Sequence, residues 1–397
     1  MRILIAHDAA AGAGGVESYL AALMPALQAR GHQLAFVCDG SRSQQGPVRL
    51  DYVPTVASIT DMGFLRGMEY IRAWQPDACF SHNMRRLAID ESLTSLCPVV
   101  KMMHGYFGTC IGGQKAHAFP TVQPCAREFG VACLGMYLPR HCGQLRPASM
   151  VSQFAWALRQ QRLFGRYAHI VVASAHMACE YARHGVAAER LTSVPLFPTV
   201  APDGSPRGVP SGPTVLFLGR MTSLKGGDVL IRALAHTIRL LRTPVRVLFA
   251  GSGPAESSWR ALAVQLGVPA TFHGWVEGPD RLAILRSASL LAVPSLWPEP
   301  FGLVGLEAAA QGVPAVAFDT GGIGEWLQDG VNGRLVRETG SATALGRTLA
   351  DVLTESGELA RLGEGALRVA SGLTLAAHLD VVERVIAGAA VASPVLA

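Results

Sequence analysis

Glu299 and Glu307, with seven residues between them, are the side chains whose type and placing best suit chemistry. Pro298 and Pro300 bracket the first of them, and their fixed φ angles exclude helix there, so Glu299 belongs to a stiff loop. A helix can begin only near Phe301 or Gly302, and Gly312 with Pro314 beyond it is an ordinary stop. Glu307 then lies about one and a half turns into that helix, about 8 Å along its axis from the first free amides. The apolar runs Ser289–Val293 and Ala315–Phe318 on either side have the length of buried strands, so the segment reads as the crossover of a parallel β-α-β unit. Open parallel sheets bind ligands outside the carboxyl ends of their strands. A carboxylate at that place suits sugar hydroxyls, the amides of Gly302 and Leu303 suit sugar or phosphate oxygens, and Glu307 suits a ribose diol. Taken singly, each acid also fits a plainer role, the first complementing a helix dipole and the second facing solvent.

Two cations fall on a comparable turn. Val215–Leu218 reads as a strand, and Arg220 and Lys225 follow it before a helix that begins near Gly227, where helix amides are free. That is an anion site by geometry, although a single basic residue in such a loop is usually just solvated. His104 closes the apolar run Val99–Met103 and so faces a crevice rather than a core. His7, His82 and His176 also follow strands, and are read as satisfied structural histidines. Gly12, Gly14 and Gly15 after the strand Ile3–Ala6, with Asp39 after Leu34–Val37, suggest a dinucleotide fingerprint. The third glycine of that pattern would fall at Glu17, which leaves the match partial.

The elements that must position these groups follow from composition and alternation. A chain of 397 residues exceeds what one core supports, and its apolar half and 43 glycines suit strand-to-helix turns in a two-domain α/β protein. Phe197–Pro213 is dense in proline, glycine and serine, as linkers are. A formal charge of +5 without a block of five basic residues excludes a nucleic-acid surface, and permits weak attraction to anionic membranes. No apolar run reaches a membrane span, and none at the start suits a signal peptide, so a cytoplasmic protein is expected, peripheral at most to the inner membrane face. From Tyr106 to Pro147 periodicity is lost while Cys110, Cys125, Cys133 and Cys142 appear. Without a C-x-x-C pair, this segment reads either as an acceptor-binding loop with incidental cysteines or as a structural zinc site.

The segment P-E-P-F-G with its second acid at Glu307 resembles the E-x7-E signature of the retaining glycosyltransferases of family 4, which have the GT-B fold. Gly219-Arg220 through Lys225-Gly226 is similar to that family's G-R-x4-K-G, whose cations neutralise the donor diphosphate. Gly251-Ser252-Gly253-Pro254 resembles its G-x-G-P turn, and Val276 falls in a loop whose backbone contacts the nucleotide base. Gly14-Gly15-Val16-Glu17 resembles its G-G-x-E segment, which offers bare amides to the diphosphate or the acceptor. His104 occupies the position of a histidine that contacts the transferred sugar. The resemblance is strong over residues 214–336 and weaker before them, and Gly324 stands where the family has proline before Glu325.

The resemblance implies an α/β GT-B chain of two Rossmann-like doubly wound domains facing each other across a cleft. An acceptor-binding domain over 1–197 would be joined by a linker, 198–213, to a nucleotide-sugar domain over 214–372, and a helix within 373–397 would return to the first domain. The implied activity is transfer of a sugar from a UDP- or GDP-sugar to a hydroxyl of a sugar or lipid-linked acceptor, in polysaccharide, glycolipid or small-glycoside synthesis. Neither a metal nor a cofactor is required, the nucleotide sugar being a substrate. The implied catalytic residues are His104, Arg220, Lys225 and Glu299. Gly14, Gly15, Gly251, Ser252, Gly253, Val276, Phe301, Gly302, Leu303 and Glu307 would bind substrate. An epimerase or phosphorylase on the same fold, or a regulator that only binds sugar nucleotides, are the rival readings.

Overall fold

The computed structural model describes residues 1–8, 14–40, 50, 53–200, 212–241, 243–355 and 357–392. Gly12 and most of the proline-rich segment after Val200 therefore lie outside the described residues.

Short apolar runs, buried on both faces, become parallel strands. In the first half these are β1 (Arg2–Ala6), β2 (Gln33–Cys38), β3 (Thr55–Ser58), β4 (Ala78–Ser81) and β5 (Val99–Met103). After a two-residue hairpin, β6 (Ala116–His117) and β7 (Gln123–Pro124), come β8 (His169–Val172) and β9 (Leu191–Ser193). The sheet order is β3-β2-β1-β4-β5-β8-β9, parallel throughout. The second half supplies β10 (Thr214–Leu218), β11 (Arg246–Ala250), β12 (Ala270–Gly274), β13 (Leu290–Val293), β14 (Ala315–Phe318) and β15 (Gly333–Val336). Their order, β12-β11-β10-β13-β14-β15, is again fully parallel. In each sheet the order reverses beside its first strand, between β1 and β4 and between β10 and β13. Ligand crevices of open α/β sheets form at such points.

The expected strands are found within a residue or two. The aperiodic cysteine segment is partly ordered by the β6-β7 hairpin and a short helix, Ala132–Tyr137. It is held by its own small core of Ile111, Phe129, Tyr137 and Ala157. The final helix runs Leu375–Ala392 rather than from Leu373, which instead caps the preceding helix Glu358–Gly372.

That final helix packs back on the first sheet, against β4, β5 and helix Gly15–Ala29. Arg30 reaches Asp380 at 2.7 Å and Glu383 at 2.6 Å, and His32 Nε2 lies 2.9 Å from Glu383. Deeper in, His378 Nδ1 donates to the Pro195 carbonyl at 2.8 Å while its Nε2 accepts the Tyr19 hydroxyl at 2.8 Å. Only the neutral ring can do both, and burial pushes the His378 pKa down from 6.5 to about 4. The unfolded chain therefore takes up a proton that the folded chain refuses. Stability is expected to fall as pH drops from 6.5 to about 4, by up to about 1.4 kcal/mol per unit. Denaturant titrations across this range should show the loss, and His378→Gln should reduce its slope, the buried His82 and His104 supplying the remainder.

Candidate active site

Glu299 is 4% exposed, and its place is set by backbone on two sides. The flanking prolines stiffen its own strand end, and the loop after β14 grips it through Gly322, whose N–H donates to the Glu299 carbonyl at 2.7 Å. A Cβ at Gly321, where φ is +60°, would lie 2.3 Å from that same carbonyl oxygen, so only glycine permits the approach. The side chain is met by three donors on one oxygen. Lys225 Nζ and Ser295 Oγ each reach Oε1 at 2.5 Å, and Trp297 Nε1 reaches it at 2.9 Å. The other oxygen, Oε2, has no partner among the described residues. The Lys225 ammonium also stands 5.4 Å from the centre of the Trp297 ring.

Lys225 is brought there by Gly226, which takes φ +65° at the end of a short turn, Ser223–Lys225. A Cβ on Gly226 would sit 2.0 Å from the Pro294 carbonyl oxygen, and Leu296 N–H bonds the Leu224 carbonyl at 2.8 Å. The cation loop after β10 and the acid loop after β13 are thus laced together by backbone. Arg220 is exposed, without a partner among the described residues. Of the two cations, Lys225 is paired with Glu299, and the Arg220 side chain is left open to solvent.

The neighbouring turn after β11 is equally tight. A Cβ on Gly251 would meet the Gly219 carbonyl oxygen at 2.0 Å, one on Gly253 would meet that of Met221 at 2.4 Å, and Met221 N–H bonds the Ser252 carbonyl at 2.9 Å. Ser252 is exposed, and Val276 is partly buried against the first core. Phe301 is 1% exposed, its carbonyl taking the Trp326 Nε1–H at 2.7 Å. The helix starts one to two residues later than its earliest allowed place, at Leu303, with Gly302 as N-cap at φ +88°.

Glu307 is the fifth residue of that helix, Leu303–Ala309, and is 2% exposed. It is not free. Thr199 Oγ1 donates to Oε1 at 2.6 Å, and Arg281 binds Oε2 through Nη2 and, at 3.2 Å, Nε. Thr199 lies where the chain leaves the first domain, so a buried acid of the second is tied to the crossing segment. Each of the two carboxylates is already saturated on at least one oxygen, because a buried carboxylate needs donors even without a ligand.

Across from these loops, His104 follows β5, with its Nε2 3.0 Å from Nδ1 of His82, which follows β4. Burial pushes the His104 pKa down to about 3, helped by the Lys101 ammonium. The His82 Nε2 is buried and has no partner among the described residues, so one of its two ring nitrogens is unsatisfied. His7 Nε2 lies 3.3 Å from Glu17, beside Gly14 and Gly15 at the start of helix Gly15–Ala29, and this contact lowers the Glu17 pKa. The Tyr106 hydroxyl is likewise buried and unpartnered among the described residues, its ring 6.4 Å from that of Trp297. Burial raises the Cys142 thiol pKa to about 12, with Cys110, Cys125 and Cys133 near enough to add to the effect. Among the described residues no three cysteine, histidine or acidic side chains gather as a metal-binding group.

Sequence reading missed Thr199, Arg281, Ser295 and Trp297. Ser295 and Trp297 adjoin Glu299 in a turn that excludes helix, which was a usable signal. Thr199 and Arg281 lie 108 and 26 residues from Glu307, and nothing local marks them.

Two parallel doubly wound sheets, with buried acids and cations on the loops at their carboxyl ends, define the GT-B class of protein. Solved structures agree in fold. Anabaena HepE in complex with UDP-glucose aligns with TM-score 0.71 at 19% identity, over 98% of this chain and 100% of that one. Sucrose-phosphate synthase from Thermosynechococcus elongatus aligns with TM-score 0.69 at 18% identity, over 99% and 100%. Residues 207–369 match the family model of the glycosyl transferases group 1, and residues 13–197 match that of glycosyltransferase family 4. The chain belongs to glycosyltransferase family 4, of the group 1 type.

D-inositol 3-phosphate glycosyltransferase of Nocardia farcinica is 41% identical over 182 residues, 42% of this chain and 38% of that protein. An uncharacterized glycosyltransferase of Methanocaldococcus jannaschii is 39% identical over 121 residues, 30% of each. The match thus spans well under half the length of these curated relatives.

Lys225→Met would leave the Glu299 carboxylate buried without its cation, and should lower the unfolding free energy by about 1–3 kcal/mol. Adding Glu299→Gln should recover much of that loss. A double-mutant cycle showing independent effects would mean that the pair does not hold the two loops together.

Proposed function

We propose that the protein is a retaining glycosyltransferase that moves a sugar from a nucleoside diphosphate sugar to a hydroxyl acceptor. The observation that carries this reading is the placing of two buried carboxylates, Glu299 and Glu307, on one crossover at the carboxyl end of β13, with Lys225 on the first and Arg220 free nearby. A UDP-sugar is the donor we favour, because Anabaena HepE of the same fold is described with UDP and with UDP-glucose.

In this reading Glu299 takes hydroxyls of the transferred sugar on its unoccupied Oε2. Lys225 has three N–H donors, and with one on Glu299 it can extend another to the diphosphate beside Arg220. The bond from the anomeric carbon to the diphosphate oxygen breaks with its electron pair leaving on that oxygen, so the developing charge falls where the cations stand. The acceptor hydroxyl forms its bond on the same face, and a phosphate oxygen takes its proton. The amides of Phe301, Gly302 and Leu303, and the turns Gly14-Gly15 and Gly251-Ser252-Gly253, complete the diphosphate cradle, while Val276 backs the base. His104 faces the sugar from the first domain. A membrane-bound or lipid-linked acceptor would suit the chain's net charge of +5, and no helix among the described residues is long and apolar enough to cross a membrane.

Glu307 takes the ribose diol, which requires a present partner to yield. Thr199 is the weaker one, a neutral hydroxyl beside a bidentate guanidinium. Thr199→Val is therefore expected to raise UDP affinity about two- to tenfold by calorimetry, the worth of one released hydrogen bond.

The two acids separate in kinetics. Glu307→Gln should weaken binding of UDP itself, because ribose is held alike in ground and transition states. Glu299→Gln should leave UDP affinity nearly intact and lower kcat at least tenfold, because sugar orientation matters most as the anomeric bond breaks. Loss of UDP affinity in Glu299→Gln with turnover preserved would overturn these roles.

A further inference from the structure

His82 and His104 stand at the ends of neighbouring strands, β4 and β5, with rings stacked at 29° and centroids 5.3 Å apart. His82 Nδ1 and His104 Nε2 are 3.0 Å from each other, a hydrogen-bond distance between two atoms of a kind that either donates or accepts. Burial holds both rings in the neutral form, with the nearby Lys101 ammonium acting in the same direction. Two neutral rings share one proton across that contact. Either His82 donates from Nδ1, or His104 donates from Nε2.

The choice is decided on the far side of His82. Its Nε2 is buried and without a partner among the described residues. If His104 donated, His82 would carry its own proton on Nε2 and strand an N–H donor in the core. If His82 donates, only a lone pair is stranded, and buried orphan N–H groups are the rarer of the two in folded proteins. His104 Nε2 is then the acceptor, and its proton sits on Nδ1, the nitrogen without a partner among the described residues.

The ring of His82 has little freedom to alter this. The His82 backbone N–H bonds the Ala6 carbonyl at 2.8 Å, and its backbone carbonyl is gripped by the buried Lys101 ammonium, itself held by Asp90 at 2.6 Å and Ser81 at 3.0 Å. Phe80 packs edge-on at 4.4 Å between centroids, and the Tyr19 ring covers both histidines at 5.7 Å.

We propose that His82 is a positioning residue that locks His104 in its Nδ1–H tautomer, so that His104 meets the transferred sugar as a hydrogen-bond donor to a hydroxyl oxygen. The tautomer follows from the first domain alone. Its use toward a sugar rests on the function proposed above.

Two measurements separate these layers. Two-bond proton–nitrogen correlation spectra of histidine-labelled protein at pH 7.5 report which ring nitrogen carries hydrogen. The proton is expected on Nδ1 of His104, and finding it on Nε2 would overturn the proposal whatever the protein binds. Calorimetry with UDP-glucose and with UDP then reads the consequence. His82→Asn puts an amide N–H where the Nδ1–H lay, and should keep the preference for UDP-glucose over UDP within about twofold of the wild type. His82→Leu should cut that preference about five- to tenfold with UDP affinity unchanged, the scale of one hydrogen bond. Equal loss in the asparagine and leucine variants, or none in either, would refute positioning through the hydrogen bond. If wild-type protein with the expected tautomer ignored both ligands, the donor assignment would fall and the tautomer assignment would stand.

Discussion

A carboxylate removed from water must be given hydrogen bonds, and much of this structure is arranged to give them to Glu299. Its three donors come from the cation loop after β10 and from its own loop after β13, while the loop after β14 clamps its backbone. Those loops leave strands that are neighbours around β13, so the acid closes the end of the sheet exactly where the strand order reverses. The glycines at 226, 321 and 322 are then consequences. Each lies where another backbone passes too close for a Cβ. Converging donors also leave one carboxylate oxygen uncommitted, which is the feature a polyhydroxylated ligand can use.

The first domain meets the same constraint with different chemistry. At the corresponding reversal of its sheet it places histidines, of which His82, His104 and His378 pack with Tyr19 and are held neutral by burial. A neutral imidazole can be buried at far lower cost than a carboxylate, and still presents a directed donor or acceptor. The second domain's side of the cleft thus presents carboxylates with their cations, whereas the first presents buried neutral rings beside the His7–Glu17 contact. That asymmetry suits a ligand whose diphosphate belongs to the second domain and whose sugar reaches toward the first.

Among the described residues, two hydrogen bonds cross between the domains. Thr199 ties the departing chain to Glu307, and the Ala175 N–H reaches Glu325 at 2.6 Å. The final helix adds a third link through His378 and Pro195. The segment that joins the domains thus touches both the buried Glu307 and the helix that returns.

Much of the fold was legible in the residues. Apolar runs of strand length alternating with helical stretches specify parallel sheets, because a chain with both faces buried has little alternative. Pro298, Pro300 and Gly302 are local determinants that place Glu299 and start its helix without reference to the rest of the chain. What the tertiary structure alone decided is the partnership of each site residue. Lys225 meets Glu299 across 74 residues, Thr199 meets Glu307 across 108, and His82 meets His104 across 22. Parallel crossovers bring strand ends together from distant parts of the chain, and periodicity or turn chemistry constrains only a residue's near neighbours. The sequence determined which groups stand at the cleft, whereas packing determined which of them remain free to meet a ligand.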